Sequence, residues 1–133
     1  MAQEPPAETE PLEAARPTRT AGGDTPGDTG LVSVYVTFPA GFAADDLVTD
    51  LVRERLIACA NLFPGLTSIY TWEGRVERDP ETAALLKTTA DRLDALVARI
   101  RQSHPYETPC IVAWPVIGGF PPYLDWVRTE TRD

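Results

Sequence analysis

The spacing of apolar residues changes twice along this chain, and that change limits the fold more than any other feature of the sequence. Residues 31–38 place a large apolar side chain at every second position, from Val32 to Phe38, which is typical of a strand with one buried face. Residues 45–56 instead place leucine and valine at every third or fourth position, which is the period of a helix. The pattern therefore predicts a strand followed by a helix.

Two strand-like stretches come next. Residues 59–72 hold two short runs that are rich in apolar and β-branched side chains. Glu73-Gly74 links them to a returning stretch, residues 75–88, and a short link with glycine is typical of a hairpin. Because Pro80 interrupts the returning stretch, we predict a bulge or an edge position there.

The order of elements is completed by a second helix, a fourth strand and a closing helix. The second helix is predicted to begin at Thr88, three residues before Asp91 as in a capping pattern, and to end at Pro105. Residues 110–117 predict the strand, and residues 123–130 predict the last helix. The order βαββαβ predicts an α+β, ferredoxin-like fold: an antiparallel sheet with two helices on one face, plus a short C-terminal helix.

The first 30 residues differ from the rest in composition. They hold five of the thirteen prolines and four of the nine glycines, and their only large apolar residues are Met1 and Leu12. Such a stretch cannot bury enough surface to offset the entropy of ordering it. We predict that residues 1–30 are a disordered acidic tail and that residues 31–133 form the single domain.

The charge of the chain excludes several classes of partner. The formal net charge is −8, divided equally between the tail and the domain, so nucleic acid backbones and anionic membranes are disfavoured. The sequence has no signal-peptide pattern and no apolar run of eighteen residues. We expect a cytoplasmic protein with no nucleic-acid or membrane partner, in which Cys59 and Cys110 are free thiols.

One face of the predicted sheet is left without a helix. It carries Tyr35 and Thr37, and one side of each other strand. The strands are rich in aromatic rings for a face in contact with water, even if some rings lie in the core; examples are Tyr70, Trp72 and Trp114. This aromatic content predicts contact between subunits.

Several motifs, in order along the chain, resemble the CutA family of divalent-cation-tolerance proteins. They are Ala58-Cys59-Ala60-Asn61, Ser68-Ile69-Tyr70 with Trp72-Glu73-Gly74, Leu86-Lys87-Thr88, and His104-Pro105-Tyr106-Glu107-Thr108-Pro109. The resemblance runs from Val32 to Thr129. It implies a ferredoxin-like fold and a homotrimer formed by strand pairing between subunits. For bacterial members it implies the binding of copper and other divalent cations, and tolerance to them.

His104 is the only histidine, and imidazole is the commonest metal ligand among protein side chains. Glu107, three residues further on, would add a carboxylate, so we predict both residues as ligands of copper or another divalent cation. Family members proposed to bind copper also have a cysteine and a second histidine, where this chain has Val36 and Ser103. The predicted metal is therefore weakly held. The alternative is that His104 caps a helix end or bonds across a subunit contact.

Lys87 lies in an otherwise apolar strand, where a buried ammonium needs a partner. Together with other residues it would line a ligand pocket for a small anion between subunits; the others are Tyr106, Trp72, Glu73 and His104. The alternative is a structural ion pair between Lys87 and a nearby carboxylate.

The sequence shows no nucleotide-binding motif and no acid–base pair, so we predict that the protein is not an enzyme. The leading hypothesis is a homotrimer that binds divalent metal ions and contributes to metal tolerance. The first alternative is a trimer that senses a small anionic metabolite in clefts between subunits. The second alternative is a structural assembly platform that presents its tail to partners.

Overall fold

The computed structural model of the chain describes residues 28–132. In this part of the chain, the strands are β1 (Leu31–Pro39), β2 (Cys59–Trp72), β3 (Arg75–Thr89) and β4 (Ile111–Pro115). The helices are α1 (Ala44–Arg53), α2 (Leu93–Ser103) and α3 (Pro121–Glu130). The strands form one sheet in the order β2-β3-β1-β4, with every neighbouring pair antiparallel. The predicted α+β fold is confirmed. Residues 1–27 of the predicted disordered tail lie outside the described part of the chain.

The main core lies between the sheet and the helices α1 and α2. The alternating apolar residues of β1 are buried there, as the period of two predicts. Leu51 of α1 and Leu96 and Ile100 of α2 are at most 1% exposed. The two helices are joined at the surface by Arg99, whose guanidinium donates two hydrogen bonds to the carboxylate of Glu54 at 2.9 and 3.1 Å.

The opposite face of the sheet is partly covered by α3. Val127 of α3 is buried in a second apolar cluster with Leu31 and Ala58, and Leu124 packs against this cluster. Leu31 belongs to the odd-numbered residues of β1, which face away from the main core. The prediction that this face lacks a helix therefore holds only for the end of the sheet that is remote from α3.

The β2–β3 hairpin extends beyond the part of the sheet in which β3 also pairs with β1. β3 pairs with β1 only from Glu81 to Thr89, so residues 75–80 pair with β2 alone. We call residues 66–80 the arm. Pro80 lies where the pairing with β1 ends, which agrees with the predicted edge position; only the N–H of Ala40, directly after β1, donates to its carbonyl, at 3.3 Å. The irregularity in the pairing lies on β2, between Phe63 and Leu66.

The start of the second helix differs from the prediction. Thr88 is still part of β3, where its hydroxyl donates to the carbonyl of Leu56 at 2.7 Å. A 3-10 turn follows at Ala90–Arg92, and α2 begins only at Leu93. Strand pairing with β1 extends to Thr89, and this tertiary contact outweighs the local capping pattern. β4 is also shorter than predicted, whereas Pro105 follows the end of α2 as expected.

The turn between β2 and β3 has a backbone conformation that can be tested by substitution. Glu73 and Gly74 have φ angles of 51° and 80°, the left-handed pair typical of a type I′ turn. We expect Gly74→Ala to lower the free energy of unfolding by about 1 kcal/mol, because an L-residue is strained there. Gly41→Ala is the matched control: a β-carbon meets nothing within 4 Å at either position, and Gly41 has no positive φ. Urea denaturation would contradict this account if both variants lost the same stability.

Candidate functional site

A cavity of about 520 Å³ lies on the sheet face opposite α1 and α2. Its walls come from the arm and from the loop that follows α2. The pairing of Ser68 with Asp79 places alternate residues of both strands on this one face. The lining residues are Ser68, Tyr70, Trp72, Asp79, Glu81, Pro105, Tyr106, Glu107, Thr108 and Cys110.

Glu81 is the buried charge of this cavity, with 5% of its surface exposed. One carboxylate oxygen accepts a hydrogen bond from the hydroxyl of Ser68 at 2.7 Å, and the other accepts one from the hydroxyl of Tyr106 at 2.9 Å. Within residues 28–132, Glu81 forms no ion pair. Its negative charge is therefore held by neutral donors alone.

Two tyrosines and the cysteine of the cavity keep their protons at neutral pH. Burial and the hydrogen bond to Glu81 raise the pKa of Tyr106 to about 12. The hydrogen bond that Tyr70 donates to Asp79 raises the pKa of Tyr70 to about 12 as well. Burial also raises the pKa of the Cys110 thiol, and the charge of Glu81 acts in the same direction. The cavity is thus acidic overall, with phenols and a thiol that remain neutral.

His104 lies behind the cavity wall and is 7% exposed. Its Nε2 is 2.7 Å from the carbonyl oxygen of Thr37, and its Nδ1 accepts the backbone N–H of Tyr106 at 3.1 Å. Because the carbonyl only accepts, we assign the proton to Nε2, and both nitrogens are then occupied. The ring also stacks on Phe38, with centroids 4.9 Å apart. The side chain therefore joins the loop to β1, while its backbone N–H bonds Ile100 at the end of α2.

The two residues that were predicted as metal ligands, His104 and Glu107, lie in different environments. Glu107 lines the cavity, whereas His104 does not. In the described part of the chain, no three histidine, cysteine, aspartate or glutamate residues form a group that would hold a metal ion. A metal ion at His104 would have to displace one of the two backbone partners of the ring. Metal binding by these two residues stays a prediction.

The residues of the predicted anion pocket do not come together within one chain. Trp72 and Tyr106 line the same cavity, but Glu73 lies in the hairpin turn and outside the lining. Lys87 lies opposite Cys59, six residues along β3 from Glu81, which is roughly 20 Å of strand. Lys87 also forms no ion pair within residues 28–132, so the alternative, a structural ion pair with a nearby carboxylate, is not formed in the described part of the chain.

The lining residues that were not predicted as site residues include three that form hydrogen bonds in the cavity: Ser68, Asp79 and Glu81. A signal for two of them is present, because Glu77, Asp79 and Glu81 alternate along the returning strand. A period of two places all three carboxylates on one face of β3. The role of Ser68 has no such signal, since only the strand register brings its hydroxyl to Glu81.

The raised tyrosine pKa values give a test of this geometry. For Tyr70, Tyr106 and Tyr123, we expect absorbance at 295 nm to show ionisation near pH 12, whereas tyrosines of the urea-unfolded chain ionise near pH 10. Since folding raises these pKa values, the associated stability is present below pH 10 and is lost as the pH rises towards 12. Tyr106→Phe should remove one late ionisation and reduce that loss. An unchanged titration in this variant would contradict the assignment.

The chain matches the family model described as "CutA1 divalent ion tolerance protein" over residues 32–130. It is 46% identical over 98 residues to the divalent-cation tolerance protein CutA of Thermus thermophilus, covering 74% of this chain and 95% of that protein. It is 39% identical over 102 residues to the chloroplastic protein CutA 1 of Oryza sativa, covering 77% of this chain. The match spans only 58% of the length of the rice protein.

Solved structures agree with these matches. The structure of Cut A1 from Thermus thermophilus has a TM-score of 0.74 and 44% identity, covering 77% of this chain and 99% of that one. The CutA from Archaeoglobus fulgidus, described as periplasmic, has a TM-score of 0.74 and 31% identity, with coverage of 77% and 99%. No helix within residues 28–132 is long and apolar enough to cross a membrane. The chain therefore belongs to the CutA1 family of divalent ion tolerance proteins.

Proposed function

We propose that the protein is a non-enzymatic homotrimer that binds divalent cations at the cavity and contributes to tolerance towards them. The observation that carries the proposal is the charge of the cavity, whose lining has three carboxylates and no lysine, arginine or histidine. Such a lining attracts cations and repels anions. This chemistry agrees with the family to which the chain belongs.

The donors of the cavity suit a weakly held metal ion. Asp79, Glu81 and Glu107 offer oxygen, and Cys110 offers sulfur once its proton is lost. Thiolate favours copper or zinc, whereas carboxylate alone favours manganese or calcium. Water would complete the coordination, because the described residues include no ready-made group of three ligands. We assign His104 the role of positioning the loop, since its nitrogens already have partners.

The exposed apolar surface supports the homotrimer. β4 is an edge strand, and its residues Val112 and Trp114 are 51% and 46% exposed. Beyond β4, Ile117 and Phe120 are at least 70% exposed. A surface of this kind is typical of a contact between subunits, and an edge strand has free backbone groups for strand pairing. The number of three subunits rests on the resemblance to the CutA family.

The two alternative functions have less support. An anion-sensing cleft would need Lys87 near the cavity, and Lys87 of the same subunit lies far along β3. The assembly platform depends on the tail, of which residues 1–27 lie outside the described part of the chain. The expected cytoplasmic location also stays a prediction, because similar proteins are described as chloroplastic in rice and periplasmic in Archaeoglobus fulgidus.

The oligomeric state is tested by light scattering. We expect a molar mass of about 44 kDa, which is three chains of 14.6 kDa. Trp114→Glu should lower the mass, because it places a charge in the proposed contact. Val52→Glu is the control, since Val52 is 41% exposed on α1 and away from β4. A monomeric wild-type protein at micromolar concentration would rule out the homotrimer.

Metal binding is tested by calorimetric titration with copper, zinc and manganese. We expect Glu81→Gln to weaken the binding about tenfold or more, since it removes the buried charge while an amide oxygen remains for Ser68. Asp94→Asn, on the exposed surface of α2, should have no effect. Equal affinity of the wild type and Glu81→Gln would show that the cations bind elsewhere or not at all.

A further inference from the structure

The cavity is larger than a hydrated metal ion requires. Six water molecules around an ion occupy roughly 200 Å³, at about 30 Å³ for each water. The cavity has a volume of about 520 Å³, which lies in the range of sites for small organic molecules. Most of its volume is therefore available to an organic ligand that is larger than a hydrated metal ion.

Aromatic rings form part of the lining, although they are not ligands for a metal ion. Tyr70, Trp72 and Tyr106 come from two separate segments of the chain and line the same cavity. Trp72 is 59% exposed, so its indole surface is open to a ligand. Tryptophan is the aromatic side chain that binds cations best through its ring face. Aromatic rings together with carboxylates are suited to organic cations.

The hydrogen bonds of the cavity favour one kind of organic cation. Both oxygens of Glu81 already accept hydrogen bonds, from the hydroxyl groups of Ser68 and Tyr106, and Tyr70 donates a hydrogen bond to Asp79. A primary ammonium would bring three further N–H donors that need acceptors. A fully methylated ammonium brings positive charge and apolar surface but no donor. It would compensate the buried charge of Glu81 without disturbing these hydrogen bonds.

We infer that the cavity binds a small methylated ammonium ion, with Glu81 and Asp79 providing opposite charge and Trp72 providing a cation–π contact. The inference rests on the site of the proposed function, but the ligand class and the aromatic contact are distinct from those of a metal ion. The methyl groups contact the rings, while the charge remains near the carboxylates. Binding needs no covalent step and no cofactor.

Calorimetry with tetramethylammonium chloride tests this inference. We expect saturable binding of tetramethylammonium, and none of tert-butanol, which is similar in size and uncharged, or of potassium chloride at equal ionic strength. Glu81→Gln should weaken the binding about tenfold or more, and Trp72→Leu about fivefold or more. Trp72→Phe should lose less, because it keeps an aromatic ring. Trp126→Leu, outside the cavity lining, is the matched control and should bind as the wild type does.

A parallel titration with zinc separates this inference from the proposed function. Trp72→Leu should bind zinc as the wild type does, because the indole offers no metal donor. Absent binding of tetramethylammonium, or equal binding of tert-butanol, would overturn the inference and leave any zinc result standing. Binding of tetramethylammonium without binding of zinc would support the inference and rule out zinc as the metal of the proposed function. Circular dichroism and light scattering establish that each variant is folded and assembled.

Discussion

The imidazole of His104 joins the loop after α2 to the sheet, and the cavity depends on that bond. β4 pairs with β1 only as far as Val36, and the ring bonds the carbonyl of the next residue, Thr37. Its second nitrogen accepts the N–H of Tyr106, which fixes the residue whose hydroxyl reaches Glu81. The ring is buried against Phe38, so few rearrangements keep both bonds. One neutral side chain thereby positions one wall of the cavity.

The buried charge of Glu81 connects stability to ligand binding. A carboxylate removed from water is unfavourable, and two hydroxyl donors offset only part of that cost. A bound cation would supply the missing opposite charge, so the same feature that lowers the stability of the empty protein would favour a ligand. The arm makes this possible because β2 and β3 extend beyond β1 and hold Asp79 and Ser68 opposite each other, away from the main core.

Two of the predicted site residues, His104 and Lys87, show how residue type and tertiary geometry give different information about a site. His104 was predicted as a metal ligand because histidine commonly binds metals, yet both of its nitrogens bond the backbone. Lys87 was predicted in a pocket between subunits with Trp72; within one chain strand register separates the two residues, and the pocket between subunits stays a prediction. Both predictions depended on residue type. Residue type alone does not reveal which nitrogen lone pairs are free to bind a metal, or which residues are neighbours across paired strands.

The sequence by itself determined the order of elements and the main core, because a period of two or of three to four residues is a local property that decides which face of β1 or α2 is apolar. Three residues that were predicted from the sequence as ligand-binding or metal-binding line the cavity: Tyr106, Trp72 and Glu107. Only the tertiary structure decided that Ser68 and Tyr106 hold Glu81, that β3 extends to Thr89, and that α3 covers one end of the second face. These features depend on register and packing between residues far apart in the chain, which no local pattern encodes.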